Sequence, residues 1–132
     1  MSDYKIWIDR AKSAYKFAIV PLDDDMFRAD ACFQAQQAVE KAIKALLIFY
    51  GVEPEYTHNI KKLFEELKRF TIIDEVIEDA IDLTVYAVTT RYQGDKDDIS
   101  DSEYKQTLNI AMKCIEWVEI KIFEETLKGK HD

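Results

Sequence analysis

The sequence predicts an all-α fold, a single up-and-down bundle of four to five helices, on three observations. The chain of 132 residues is the size of one domain, and its 48% hydrophobic and 33% charged residues suit a folded core. It contains only three glycines and two prolines, too few turn formers for an all-β fold or a glycine-rich nucleotide-binding α/β fold. Between those five breakers the apolar residues recur at helical spacing, with no competing strand pattern. One domain over 1–132 is therefore expected, without repeat, linker or low-complexity stretch.

The first helix is predicted at about 3–20, with Tyr4, Trp7, Ala11, Ala14, Tyr15 and Ala18 on one face and Lys5, Arg10, Lys12 and Lys16 on the other. Pro21 and the run Asp23-Asp24-Asp25 make a turn, and the aspartates are placed to cap a second helix of about 24–50. That helix carries a narrow, alanine-rich stripe: Phe27, Ala31, Ala35, Ala38, Ala42, Ala45 and Phe49. Gly51 closes it in the left-handed conformation that helix ends favour.

A third helix is expected at about 59–70, burying Ile60, Leu63, Phe64 and Leu67. Thr71 with Asp74 resembles a capping box for a fourth at about 72–93, whose apolar face reads Ile73, Val76, Ile77, Ala80, Leu83 and Ala87. Gly94 and an acidic loop from Asp95 to Asp101 follow. Ser100 and Glu103 fit the Ser-x-x-Glu box that opens the last helix, about 101–128, which Gly129 ends. This helix has two apolar faces, Leu108, Ala111, Ile115, Val118 and Ile122 against Ile110, Cys114 and Trp117. It is expected at the centre of the bundle or in an oligomer interface.

A net charge of −8 argues against duplex DNA, which selects a basic surface. Two isolated cysteines, Cys32 and Cys114, signal neither a zinc site nor a disulfide framework. The opening MSDYKIWIDR has no apolar core of a signal peptide, and the longest apolar run, Ala45 to Tyr50, is too short to span a bilayer. A cytoplasmic protein without membrane contact is expected. With His58 and His131 as the sole histidines, and a single Glu-x-x-His (Glu55 to His58) where a di-metal bundle needs two on facing helices, no metal and no cofactor are expected.

Candidate site residues are few. His58, in Thr57-His58-Asn59, reads either as a general base or ligand contact, or as a helix-start residue with its ring bonded to backbone and Thr57 or Asn59 capping. Arg91-Tyr92 reads either as a cation at a helix C-terminus or as a guanidinium for phosphate with a ring beside it. Asp95, Asp97, Asp98, Asp101 and Glu103 read first as a solvated loop and helix start. Gln34, Gln36, Gln37, Glu40, Lys41 and Lys44 stud the second helix, and the i,i+4 pair Glu40–Lys44 reads as part of a solvated face.

The run from Phe33 to Leu47, FQAQQAVEKAIKALL, resembles the signature of the HEPN family, the higher eukaryotes and prokaryotes nucleotide-binding domain. Trp7 with Arg10-Ala11 and Ala14 resembles that family's first helix. Thr57-His58-Asn59-Ile60-Lys61-Lys62-Leu63 resembles the start of its third, and Arg91-Tyr92 the end of its fourth. The resemblance implies a helical bundle that forms a homodimer around a shared cleft. It also implies a minimal nucleotidyltransferase as partner, in toxin–antitoxin or related systems. Ribonuclease members carry Arg followed, after four to six intervening residues, by His; here those positions are Lys96, Asp97 and Asp98. RNA cleavage needs a proton-transfer group that arginine, always charged, does not supply. The expectation is thus a non-catalytic HEPN protein of the branch lacking that motif. It would bind a nucleotide or its partner in a cleft near Arg91 and Tyr92, with Gln37 and Lys44 as further contacts and His58 as a candidate. The alternatives are a ribonuclease toxin using Arg91 with a displaced base such as His58, and a helical interaction adaptor with no small-molecule site.

Overall fold

Asp3 opens the first helix: its carboxylate accepts the Lys5 backbone N–H at 2.9 Å, and α1 runs over Tyr4–Ala18. The computed structural model describes residues 3–87 and 99–129. Helix α2 spans Arg28–Phe49, α3 Ile60–Leu67, α4 Glu75–Glu78 with a 3₁₀ continuation over Asp79–Ala87, and α5 Asp101–Leu127. There is no strand among the described residues.

The second helix starts four residues later than the sequence suggests. Asp23 spends its carboxylate inside its own turn, accepting the Asp25 N–H at 2.9 Å, so the acidic run shapes the loop and does not cap α2. Phe27 stands at the N-cap without a side-chain bond. The other end closes as expected. Gly51, at φ 88, lets its own N–H reach the Ile48 carbonyl (2.9 Å) and that of Val52 reach Leu47 (3.0 Å). These two bonds satisfy carbonyls that have no partner within the helix.

Helix α2, not α5, is the central element. It packs on α1 most extensively and also on α5, α3 and the 3₁₀ segment. Its burial therefore runs well beyond the alanine stripe, taking in Cys32, Val39, Ile43, Leu46, Leu47 and Ile48. Ala11, Ala14 and Ala18 of α1 and Ala35, Ala38, Ala42 and Ala45 of α2 are all buried, and side chains this small let the paired helices approach closely. Both predicted faces of α5 are engaged, with Ala111, Cys114, Ile115 and Val118 buried, while Ile120, Phe123 and Leu127 stay exposed.

Helix α3 keeps its predicted face and start. Asn59 accepts the Lys62 N–H at 3.3 Å, and Thr57 Oγ1 accepts that of Asn59 at 3.1 Å. The fourth segment departs from prediction. Thr71 caps nothing and instead donates to the Ile72 carbonyl at 3.5 Å; Asp74 holds the N-cap position without a side-chain bond, and only one α-turn follows. The buried residues Ile77, Ala80, Leu83 and Tyr86 then recur every third position, the period of a 3₁₀ helix. Val76, assigned inward at α-helical spacing, is consequently exposed, and Tyr86 is buried in place of Ala87. The predicted end of this helix, with Gly94, lies outside the described residues. Ser100 caps α5 as expected, accepting the Glu103 N–H at 3.0 Å. No helix among the described residues is long and apolar enough to cross a membrane.

Candidate functional site

Four residues apart on a helix means one face, so Gln36, Glu40 and Lys44 form a single polar row along α2. That row does not face water. Gln36 is 0% exposed, Glu40 4% and Lys44 6%, because α1 and the loop before α3 close over it. The solvated face expected from the Glu40–Lys44 spacing is thus a buried ion pair: Lys44 Nζ donates to Glu40 Oε1 at 2.8 Å.

Glu40 is the hub. Its Oε2 accepts from Gln36 Nε2 at 3.1 Å and from Gln37 Nε2 at 3.4 Å, and stands 2.9 Å from Nδ1 of His58. Gln36 Nε2 also donates to the His58 carbonyl at 3.3 Å, which holds the loop on the helix. Gln37 Nε2 further donates to Gln36 Oε1 at 2.7 Å, and Lys41 Nζ donates to Gln37 Oε1 at 3.1 Å. Burial alone would raise the Glu40 carboxyl. The bonds from Lys44 and His58, the Lys44 charge and the Gln36 bond outweigh it, so the group sits below its ordinary value. An ionised Glu40 accepts only, so Nδ1 of His58 carries the proton and Nε2 is turned away from the carboxylate. The imidazole therefore bonds a side chain of α2, and not backbone as expected for a helix-start residue.

The rim is aromatic and cationic. The Lys44 ammonium lies 5.9 Å from the Trp7 ring centroid and 5.8 Å from that of Tyr56. The Arg10 guanidinium lies over Trp7, 5.1 Å from the ring centroid, and Tyr56, 95% exposed, stands 6.1 Å from the His58 ring. Among the described residues no group of His, Cys, Asp and Glu could hold a metal ion.

Of the residues singled out from sequence, Gln37, Lys44 and His58 meet in this cluster. Arg91 and Tyr92 lie outside the described residues, as do Asp95, Lys96, Asp97, Asp98 and His131. Asp101 pairs with Lys105 (3.0 Å) and Arg28 (3.8 Å), and Glu103 accepts from the Tyr86 hydroxyl, so both belong to the fold around α5. Sequence reasoning missed Gln36 and Glu40 as buried groups, and Trp7 and Tyr56 as the rim. The available signal was Gln36-x3-Glu40-x3-Lys44 set among Ala35, Ala38, Ala42 and Ala45: a polar row on a helix otherwise apolar on most sides.

A helical bundle with a buried polar cluster on its central helix is thus the class of domain defined by fold and site. A family model described as the HEPN domain matches residues 4–121, and the chain belongs to that family. Two solved structures are similar to it. One is TT1696 from Thermus thermophilus, 29% identical with a TM-score of 0.78. The other is ST0689, an archaeal HEPN homologue, 26% identical with a TM-score of 0.75. Each match covers 92% of this chain and 99% of the other. No curated protein sequence matches.

Proposed function

We propose that this HEPN domain is a non-catalytic, cytoplasmic binding protein that takes up a nucleotide beside Trp7, Lys44 and Tyr56 and docks a minimal nucleotidyltransferase as a homodimer. One observation carries the ligand reading: the Lys44 ammonium lies 5.9 Å and 5.8 Å from the centroids of two aromatic rings, and one of them, Tyr56, is 95% exposed. An exposed ring beside a held cation offers a stacking face to a base and a positive neighbour to its phosphate. His58 and Gln37 supply hydrogen-bonding groups on the same side, and Arg91 with Tyr92 are further candidates from sequence. The non-catalytic reading rests on Lys96, Asp97 and Asp98 standing where ribonuclease relatives carry histidine. The dimer and the partner rest on family membership. Cys32 and Cys114, both buried and far apart in sequence, agree with a reducing compartment.

Isothermal titration with purine and pyrimidine nucleotides tests the ligand reading. Binding weakened at least about tenfold by Tyr56→Ala supports it, and no heat with any nucleotide removes it. Light scattering tests the dimer, since a species of 15.5 kDa at working concentration is a monomer. Pull-down with a nucleotidyltransferase encoded beside this chain tests the partner. Unchanged binding of every kind in Tyr56→Ala and Arg91→Ala would leave the adaptor reading.

One distance favours a ribonuclease as second reading. A carboxylate 2.9 Å from Nδ1 orients a half-exposed imidazole as a base is oriented in hydrolases. RNA cleavage by the wild type, abolished in both His58→Ala and Arg91→Ala, would replace the non-catalytic reading.

A further inference from the structure

Between α1 and α2, next to the polar cluster, runs a groove of about 210 Å³ lined by Arg10, Ser13, Ala14, Phe17, Gln34 and Lys41. In a chain of 26 acidic and 18 basic residues, its lining holds two cations and no carboxylate among the described residues. Neither Arg10 nor Lys41 forms an ion pair among the described residues. The two charges act on each other. Burial first, then the Arg10 charge, hold the Lys41 amine below its ordinary value, against a smaller opposing effect of Glu40.

We propose that this groove is a phosphate subsite, in which Arg10 and Lys41 take the phosphate end of a ligand whose base stacks at Trp7 and Tyr56; the identity of that ligand as a nucleotide rests on the reading above. Geometry leaves the donors available. Arg10 lies over Trp7, its guanidinium carbon 5.1 Å from the ring centroid, and it has no ion pair among the described residues, so its N–H fork remains for two phosphate oxygens. Lys41 uses one of its three ammonium protons on Gln37 Oε1. The Ser13 hydroxyl and Gln34 amide line the same space and add neutral donors. The volume sets the class of ligand. A space of 210 Å³ is below the roughly 300–1,000 Å³ of sites that enclose a whole drug-sized molecule, so it takes a phosphate or diphosphate and leaves the base outside. Arg10 joins the two regions, since the ring it lies over also flanks Lys44.

Calorimetry on the full chain with sodium pyrophosphate, ADP and adenosine separates the subsite from the nucleotide reading. The variants are Arg10→Ala, on an exposed side chain, and Lys41→Gln, each first shown to melt within a few degrees of wild type. Arg10→Lys replaces any variant that does not. The expected result is pyrophosphate and ADP binding that each substitution weakens at least about tenfold. Adenosine should bind more weakly and be insensitive to both. Pyrophosphate bound and lost in the variants, with no nucleotide bound, keeps the subsite and removes the nucleotide. ADP bound equally by wild type and both variants overturns the subsite and keeps the nucleotide. No binding of pyrophosphate or ADP overturns the proposal.

Discussion

Nδ1 of His58 stands 2.9 Å from Oε2 of Glu40, across eighteen residues of chain. A loop histidine is thereby fastened to the middle of the most buried helix in the molecule, and the carboxylate that fastens it is already paired with Lys44. Burying two charges is not the cheapest way to hold a bundle together, because well-packed apolar residues usually do as well. Glu40 and Lys44 are therefore expected to serve more than stability.

Breaking the pair should cost more than replacing it. Lys44→Met leaves Glu40 buried without its cation, and we expect a loss of about 3 kcal/mol. The value falls at the low end for a buried pair because Gln36, Gln37 and His58 still face the carboxylate. The double variant Glu40→Met, Lys44→Leu should regain most of that stability and lose ligand binding. Urea unfolding and calorimetry on both proteins measure the two effects. A double variant less stable than the single one would show that the cluster is there for the fold.

Glu40 also sets an acid dependence. Its folded pKa lies below the unfolded value, which is about 4.3 for glutamate. The ionised group therefore contributes stability above that value, and the contribution is lost as pH falls through the folded pKa. Thermal melts of wild type and Glu40→Gln should differ most near neutral pH and converge at low pH. A gap that stays constant as pH falls would contradict the lowered pKa.

Ser100 caps the longest helix, and its hydroxyl accepts the Glu103 N–H at 3.0 Å. Ser100→Ala should cost about 1 kcal/mol, and Ser100→Asp should keep most of the stability. Chemical denaturation of the two variants decides whether the cap is used.

Gly51 sits at φ 88, and a Cβ placed there would meet nothing within 4 Å. The cost of Gly51→Ala is then that of backbone alone, about 1–2 kcal/mol. Asparagine, more tolerant of this region, should cost less. A larger loss for alanine, read from denaturation midpoints, would mean that the turn carries contacts beyond its conformation.

Cys114 is completely buried, and burial pushes its thiol up to about 12. An alkylating reagent at pH 8 should leave it unmodified in the native protein and modify it in urea. Mass spectrometry of the two reactions distinguishes a closed core from one that opens readily.

The helices were legible in the sequence to the extent that local chemistry decides them. The Asn59 and Ser100 caps, the Gly51 ending and the face of α3 follow from side chains within a few positions of one another, whose preferences need no tertiary partner. Where two local choices compete, the reading failed. Asp23 served its own turn before it could cap α2, and the segment after Asp74 took a three-residue period although an α-helical face could also be drawn through it.

The candidate site was legible only as a set of residue types. Gln37, Lys44 and His58 can be singled out from spacing and from resemblance to the HEPN signature, but their sequence does not say which side of α2 is covered. An i,i+4 Glu–Lys pair looks the same on a solvated helix as in a core. Burial belongs to the neighbours, and α1 and the loop carrying Tyr56 and His58 supply it. By itself the sequence determined an all-α chain, because helix periodicity and capping are local properties, and its motifs from Phe33 to Leu47 carried the family resemblance. Tertiary structure alone decided that α2 is central and, among the described residues, that Glu40 gathers four side-chain partners and that Arg10 and Lys41 share a groove without a carboxylate. Packing brings together residues that the chain keeps apart, and the environment made by that packing sets what each charge can do.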